Sequence, residues 1–307
     1  MSLLVVGSVA FDSVETPFGK AEETIGGSAT FFSTSASFFT PVQLVAVIGE
    51  DFPESEVDFL KARDVDCQGL HRVPGKTFRW EGRYGYDLNE AITLDTQLNV
   101  FGDFHPELPE SYREASAVFL ANIDPDLQLE VLDQIKDPKL IAADTMNFWI
   151  DGKRDRLGAV LERIDMLVVN DAEARKIADE ANVVTAARAI QKMGPTHVVI
   201  KRGEYGALCF SEDEVFFAPA YPLEAVYDPT GAGDTFAGGL MGYLSTRDVV
   251  TPRDLRQATV VGCVMASFCV EDFSLDAMRT LTHEKIQRRF QMFERLVSFE
   301  PLELLES

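Results

Sequence analysis

Short apolar runs recur along the chain at Leu3–Val9, Leu44–Ile48, Ala117–Ala121, Leu140–Ala143, Met166–Val169 and His197–Ile200. Runs this short, rich in Val, Ile, Leu and Ala, are what strands buried on both faces require. Between several of them, apolar residues return every three to four positions, as in Leu127–Ile135, Leu157–Ile164 and Ala172–Ala178. That spacing predicts amphipathic helices. Alternating strands and helices build a mostly parallel sheet covered on both faces, which binds ligands at the carboxyl ends of its strands.

One region breaks the rhythm. Phe78, Trp80, Gly82, Tyr84 and Tyr86 alternate with Arg79, Glu81, Arg83 and Asp87, and Ile92, Leu94, Thr96, Leu98 and Val100 alternate with Thr93, Asp95, Gln97 and Asn99. Joined at Leu88-Asn89-Glu90, the two period-two stretches predict a long hairpin standing off the main sheet with one apolar face covering something. The same pattern also suits an ordinary antiparallel edge. Further on, Thr251-Pro252 opens a helical run through Val270, and His283–Phe299 forms a second amphipathic run. With no internal repeat, low-complexity stretch or linker, residues 1–307 are expected to form one domain carrying a lid.

The formal net charge of −22 is spread along the chain. Such a surface repels phosphate backbones and anionic lipids, so nucleic-acid polymers and membranes are not expected partners. The four cysteines show no paired metal or redox spacing and are expected to be reduced. The first residues carry no leader pattern, and no apolar run approaches about 18 residues, so a cytoplasmic protein is expected.

The stretch Asp228-Pro-Thr-Gly-Ala-Gly-Asp234-Thr-Phe-Ala-Gly-Gly carries the chemistry. Gly231, Ala232 and Gly233 lack bulk, so their amides can approach an anion, and the pattern after Asp234 reads as a helix. Unpaired N–H groups and the dipole at a helix start stabilise the charge that spreads over a transferring phosphoryl group. Asp234 would then lie within reach of an acceptor hydroxyl as its general base.

Asp228-Pro229-Thr230-Gly231-Ala232-Gly233-Asp234-Thr235-Phe236 resembles the C-terminal signature of the PfkB, or ribokinase-like, carbohydrate and nucleoside kinases, and the resemblance extends over nearly the whole chain. It implies an α/β fold, a three-layer sandwich with a mostly parallel central sheet and a small β lid, with lid strands at about 11–25 and 72–101. It also implies an ATP-dependent kinase that transfers the γ-phosphoryl group to a hydroxyl of a free sugar or of a nucleoside's ribose. Gly7-Ser8 followed by Asp12 resembles the family's first strand and its substrate-binding aspartate. Gly26-Gly27 resembles the glycine pair at the lid hinge, which also lines the substrate pocket.

Asn170-Asp171-Ala172-Glu173 resembles the family's Asn-x-x-Glu motif, which implies Mg2+ held by Asn170 and Glu173, largely through water. The same tetrapeptide is also a helix N-cap with a capping-box glutamate. Lys201, Gly203 and Gly206 fall in a segment that resembles the turn beside the nucleotide phosphates, with Thr230 on the same side. Asp144-Thr-Met-Asn147 resembles a strand end beside substrate and phosphates, which makes Asn147 a substrate contact; the plain alternative is a capped strand end. Asp228 resembles part of a monovalent-cation site, K+ in several members.

Two positions depart from the family pattern. Phe31 stands where many members place a substrate-contacting Asn, and with Trp80, Tyr84 and Tyr86 it offers stacking to a flat nucleobase; the same aromatics would equally staple the lid to the core or to a second copy. Gly262 stands where some members place an Asn near adenine. An alternative of another class is a catalytically silent nucleotide- or sugar-sensing protein on a kinase scaffold. A dinucleotide-binding oxidoreductase fails because no GxGxxG follows the first strand. The apolar face of the hairpin is a natural surface for a homodimer.

Overall fold

The computed structural model describes residues 2–212 and 214–300. In chain order the strands are β1 (Leu3–Val6), β2 (Ala10–Thr16), β3 (Gly19–Gly26), β4 (Val42–Ile48), β5 (Val65–Arg72), β6 (Phe78–Tyr84) and β7 (Ala91–Gln97). They continue as β8 (Ala117–Leu120), β9 (Leu140–Ala143), β10 (Met166–Asn170), β11 (His197–Lys201), β12 (Ala207–Ser211) and β13 (Glu214–Ala218). The helices are α1 (Ser28–Ala36), α2 (Glu54–Lys61), α3 (Pro125–Leu132), α4 (Asn147–Gly152), α5 (Arg154–Leu161) and α6 (Asp171–Ala178). After them come α7 (Val183–Gln191), α8 (Ala232–Ser245), α9 (Pro252–Cys269), α10 (Asp276–Arg279) and α11 (His283–Val297).

The larger sheet has the order β13-β12-β11-β10-β9-β8-β1-β4-β5. From β11 to β5 every neighbouring pair is parallel, and only the β12 and β13 edge is antiparallel. Strand alternation splits the core in two. Leu3 and Val5 of β1 join one cluster with α1, α2 and α8 to α11, while Leu4 and Val6 join another with α3 to α7. Helices therefore cover both faces, and the expected three-layer α/β sandwich is what the chain forms.

The second sheet has the order β3-β2-β6-β7 and branches from the carboxyl end of β1. β6 and β7 form the expected hairpin, but β6 also lies parallel along β2, so the hairpin is half of a four-stranded lid. Its two strands differ in what they cover. Tyr84 at the end of β6 turns into the molecule, whereas Ile92 and Leu94 on the edge strand β7 are 62% and 45% exposed.

Behind the site, α8 lies between α1 and α9. Ser35 Oγ donates to the Thr235 carbonyl at 2.7 Å. Gly238 and Gly242 bring α8 onto the backbone of α1, where a Cβ on Gly242 would come within 3.0 Å of Ala36 Cα. Gly262 plays the same part for α9, since a Cβ there would meet the Phe236 ring at 2.8 Å. That position, where an adenine contact was in question, is taken up by helix packing. All four cysteines are unpaired. Among the described residues, no helix is long and apolar enough to cross a membrane.

Candidate active site

The glycine turn sits where α1 and α8 begin. Gly231 caps α8 at φ +73°, in the left-handed region, and the Phe31 ring lies directly against its α-carbon. Any side chain at 231 would be strained in its backbone and blocked by that ring. Phe31 is 1% exposed, so it is the floor of the turn. Its ring packs in the core against the turn, where an aromatic side chain on α1 removes a large apolar surface from water. The Ala232 amide donates to the Pro229 carbonyl at 3.1 Å, closing the turn. Of the expected anion-facing donors, Ala232 is thus engaged, which leaves the amides around Gly233 at the open start of the helix.

Asp234 lies in the first turn of α8 and is half-buried. Burial pushes its carboxyl up to about 7, the charge of Asp144 adds to the rise, and Lys201 opposes it. Lys201 ends β11, and its ammonium donates to Asp144 Oδ2 at 3.0 Å. A Cβ on Gly233 would come within 2.9 Å of the Lys201 Nζ, so the ammonium borders the glycine turn. Burial alone would lower the Lys201 pKa, but Asp144, Glu173 and Asp234 together hold it raised.

On the opposite side, Asp12 of β2 is buried with its carboxylate against the α-carbon of Gly26, and it accepts a hydrogen bond from the Gly27 backbone. Burial raises Asp12 to about 7, and the two charges adding to this, Asp228 and Asp234, are both anionic. Asp228, 2% exposed, accepts from the Thr230 amide at 2.9 Å with one oxygen and from the Ser274 amide at 3.2 Å with the other. Burial raises its pKa, and these hydrogen bonds oppose the shift.

Asn170 and Glu173 form a complete capping box at the start of α6, each side chain bonded to the other's backbone N–H at 2.8 Å. Glu173 is nonetheless buried beside the cluster, and burial first, then the charge of Asp144, raises it to about 7. The segment from Lys201 continues into a tight turn, with Gly203 at φ +52° and Gly206 at φ +87°, closed by the Arg202 amide on the Gly206 carbonyl at 2.8 Å. Thr230 Oγ1 lies 3.2 Å from Tyr84 Oη of the lid.

Asp12, Gly26, Gly27, Thr230, Asp234, Lys201, Glu173 and the glycine turn therefore lie close together at the strand ends. Asn147 does not enter the cluster: it is the exposed first residue of α4, and Asp144, three residues earlier, makes the contact with Lys201. Two polar residues were not singled out. Asn122, just past β8, has a buried amide oxygen without a hydrogen-bond partner. A polar residue closing the apolar run Ala117–Ala121 was its available signal. Ser274 had none, being 46 positions from Asp228.

One ammonium facing three carboxylates, the buried Asp144 and Glu173 and the half-buried Asp234, with a helix start beside them, suits a polyanion brought in with a compensating cation. Fold and site together define a phosphotransferase with an alcohol group as acceptor. The model of the pfkB family carbohydrate kinases matches residues 3–280, and the chain belongs to that family.

A cytidine kinase of Thermococcus kodakarensis is 32% identical over 252 residues, 79% of this chain and 88% of the relative. The structure of a Burkholderia thailandensis nucleoside kinase in complex with inosine superposes with a TM-score of 0.76 at 19% identity, covering 94% of this chain and 97% of that one. That of a putative ribokinase II from Escherichia coli in complex with ATP and Mg2+ also gives 0.76 at 19% identity, covering 96% and 99%.

Proposed function

We propose that this kinase uses ATP with Mg2+ to phosphorylate a ribose hydroxyl of a nucleoside, with Asp234 as general base. The observation that carries the proposal is the placement of Asp234, its carboxyl raised to about 7 by burial, between the Asp12 side of the cleft and the Lys201–Asp144 pair. A base poised near neutral pH is matched to the proton it must take. The charges acting on Asp12 are anionic, which favours a neutral acceptor over a phosphorylated sugar. The likeness to a cytidine kinase supports a nucleoside over a free sugar.

Asp12 and the unpartnered Asn122 oxygen would accept hydrogen bonds from acceptor hydroxyls. The turn from Lys201 through Gly203 and Gly206 and the first amides of α8 would hold the phosphates, and Thr230 would orient the loop between them. Glu173 and Asn170 would hold Mg2+ through water, and the ion would neutralise phosphate charge. Asp228 is placed to help hold a monovalent cation such as K+. The exposed Ile92 and Leu94 of β7 would pair with a second copy through the lid.

The test is a panel of cytidine, uridine, adenosine, inosine, ribose and inositol incubated with ATP and Mg2+, with products resolved by chromatography. Transfer to one or more nucleosides is expected. Transfer to free sugars alone would overturn the acceptor class, and nucleotide binding without any transfer would favour the silent sensing protein.

A further inference from the structure

The lid hairpin lies along β2, the strand that carries Asp12, and it also reaches two loops on the phosphate side. Tyr84 Oη reaches Thr230 Oγ1 at 3.2 Å, on the loop beside Asp228 and the glycine turn. Five residues further along, at the hairpin tip, Asn89 lies on the nucleotide side. A Cβ on Gly203 would come within 2.5 Å of Asn89 Oδ1, so the carboxamide rests on the bare α-carbon of the tight turn after Lys201. The tip is shaped for this by Leu88 at φ +56°, by the Leu88 amide on the Gly85 carbonyl at 3.2 Å, and by the Asn89 amide on Asp87 Oδ1 at 3.4 Å. The turn at Gly203 combines a left-handed backbone with an absent side chain, which leaves the space the carboxamide fills.

We propose that Asn89 is a positioning residue for the donor nucleotide, so that a lid rooted on the acceptor side also closes on the donor's phosphate turn. This rests on the kinase assignment and on the turn from Lys201 to Gly206 holding phosphate. A carboxamide carries both a donor and an acceptor, so it can brace the turn while offering an N–H to a phosphate oxygen. Because the hairpin that carries Asn89 also pairs with β2, which carries Asp12, the lid seats fully only when the Asp12 side and the Gly203 turn are both in place. Closure, and the water exclusion it brings, then depends on both substrates.

Asn89→Ala should raise the KM for ATP about 5- to 10-fold and raise several-fold the ATP hydrolysed per acceptor phosphorylated. Acceptor KM at saturating ATP should stay within about twofold. Asn89 is exposed, so the melting temperature should not move, which separates positioning from a structural role. Gly203→Ala should lose transfer, and adding Asn89→Gly should restore part of it by clearing the contact. An unchanged ATP KM and hydrolysis ratio in Asn89→Ala, or no difference between Gly203→Ala and the double variant, would overturn the proposal. Should the wild type transfer phosphoryl to no acceptor, the kinase assignment fails separately. Calorimetry with a non-hydrolysable ATP analogue still reads the contact in that case: weaker binding to Asn89→Ala supports it, and equal binding sinks it.

Discussion

Lys201 and Asp144 close a 3.0 Å ion pair from the ends of β11 and β9, across the intervening strand β10, whose own end carries Asn170. Removing the ammonium would leave Asp144, Glu173 and Asp234 together without their shared counter-charge. Lys201→Met should therefore lower kcat by about 10- to 100-fold in steady-state assays. Lys201→Arg should not restore it, since a planar guanidinium does not fit the space an ammonium occupies against Gly233.

The base should be visible in the pH profile. A carboxyl raised to about 7 must lose its proton to act, so kcat/KM in the free enzyme should fall about tenfold per pH unit below that value. Lys201 lowers the Asp234 pKa, so the acid limb of Lys201→Met should move to higher pH. An acid limb that stays near 4 in the wild type would exclude Asp234 as the titrating base.

Asp234→Asn should fold, bind nucleotide and lose transfer by at least about 100-fold. It should also be the more stable protein at high pH. With a folded pKa above the unfolded one, the carboxyl contributes stability that is full below about 4 and lost as pH rises through about 7. The ligand-free wild type should lose stability between about pH 4 and 7. The variant should exceed it at pH 8 by about 1–3 kcal/mol, a few degrees in melting temperature, and match it near pH 4. Equal melting curves at pH 8 would contradict the burial of this charge.

Gly231→Ala meets two obstacles, a left-handed backbone and the Phe31 ring. It should cost about 1–3 kcal/mol in denaturant unfolding and reduce transfer beyond detection of a simple KM change. Phe31→Ala should destabilise by about 3–5 kcal/mol, as an emptied core site does, and should not selectively weaken acceptor binding. Selective loss of acceptor affinity with unchanged stability would restore Phe31 to the acceptor pocket.

The period of the apolar runs was enough to place β1, β4 and β8 to β11, because a parallel strand buried on both faces has no alternative composition. The glycine turn and Asp234 were legible for a related reason: a backbone that must approach an anion and a helix that starts there restrict residue choice within a few positions. The orientations of Phe31 and Asn147 were not legible because an aligned position says which residue is near a site but not which way its side chain points. Asp144 and Asn147 share a loop, and the ion pair with Lys201, set by a strand two places away, decides between them. Ser274 and the tip of the lid reach Asp228 and Gly203 through long-range folding that no local pattern encodes.

The close seating of α8 on α1 limits what can move. Gly238 and Gly242 leave backbone against backbone, so the turns at Gly27 and Gly231, which head those two helices, ride on one solid block. These two turns are therefore expected to keep a fixed spacing, like the face of an anvil. The travel needed to admit and release ligands would then fall to the four-stranded flap hung from β1, and turnover would be tuned by changing that flap and its connections.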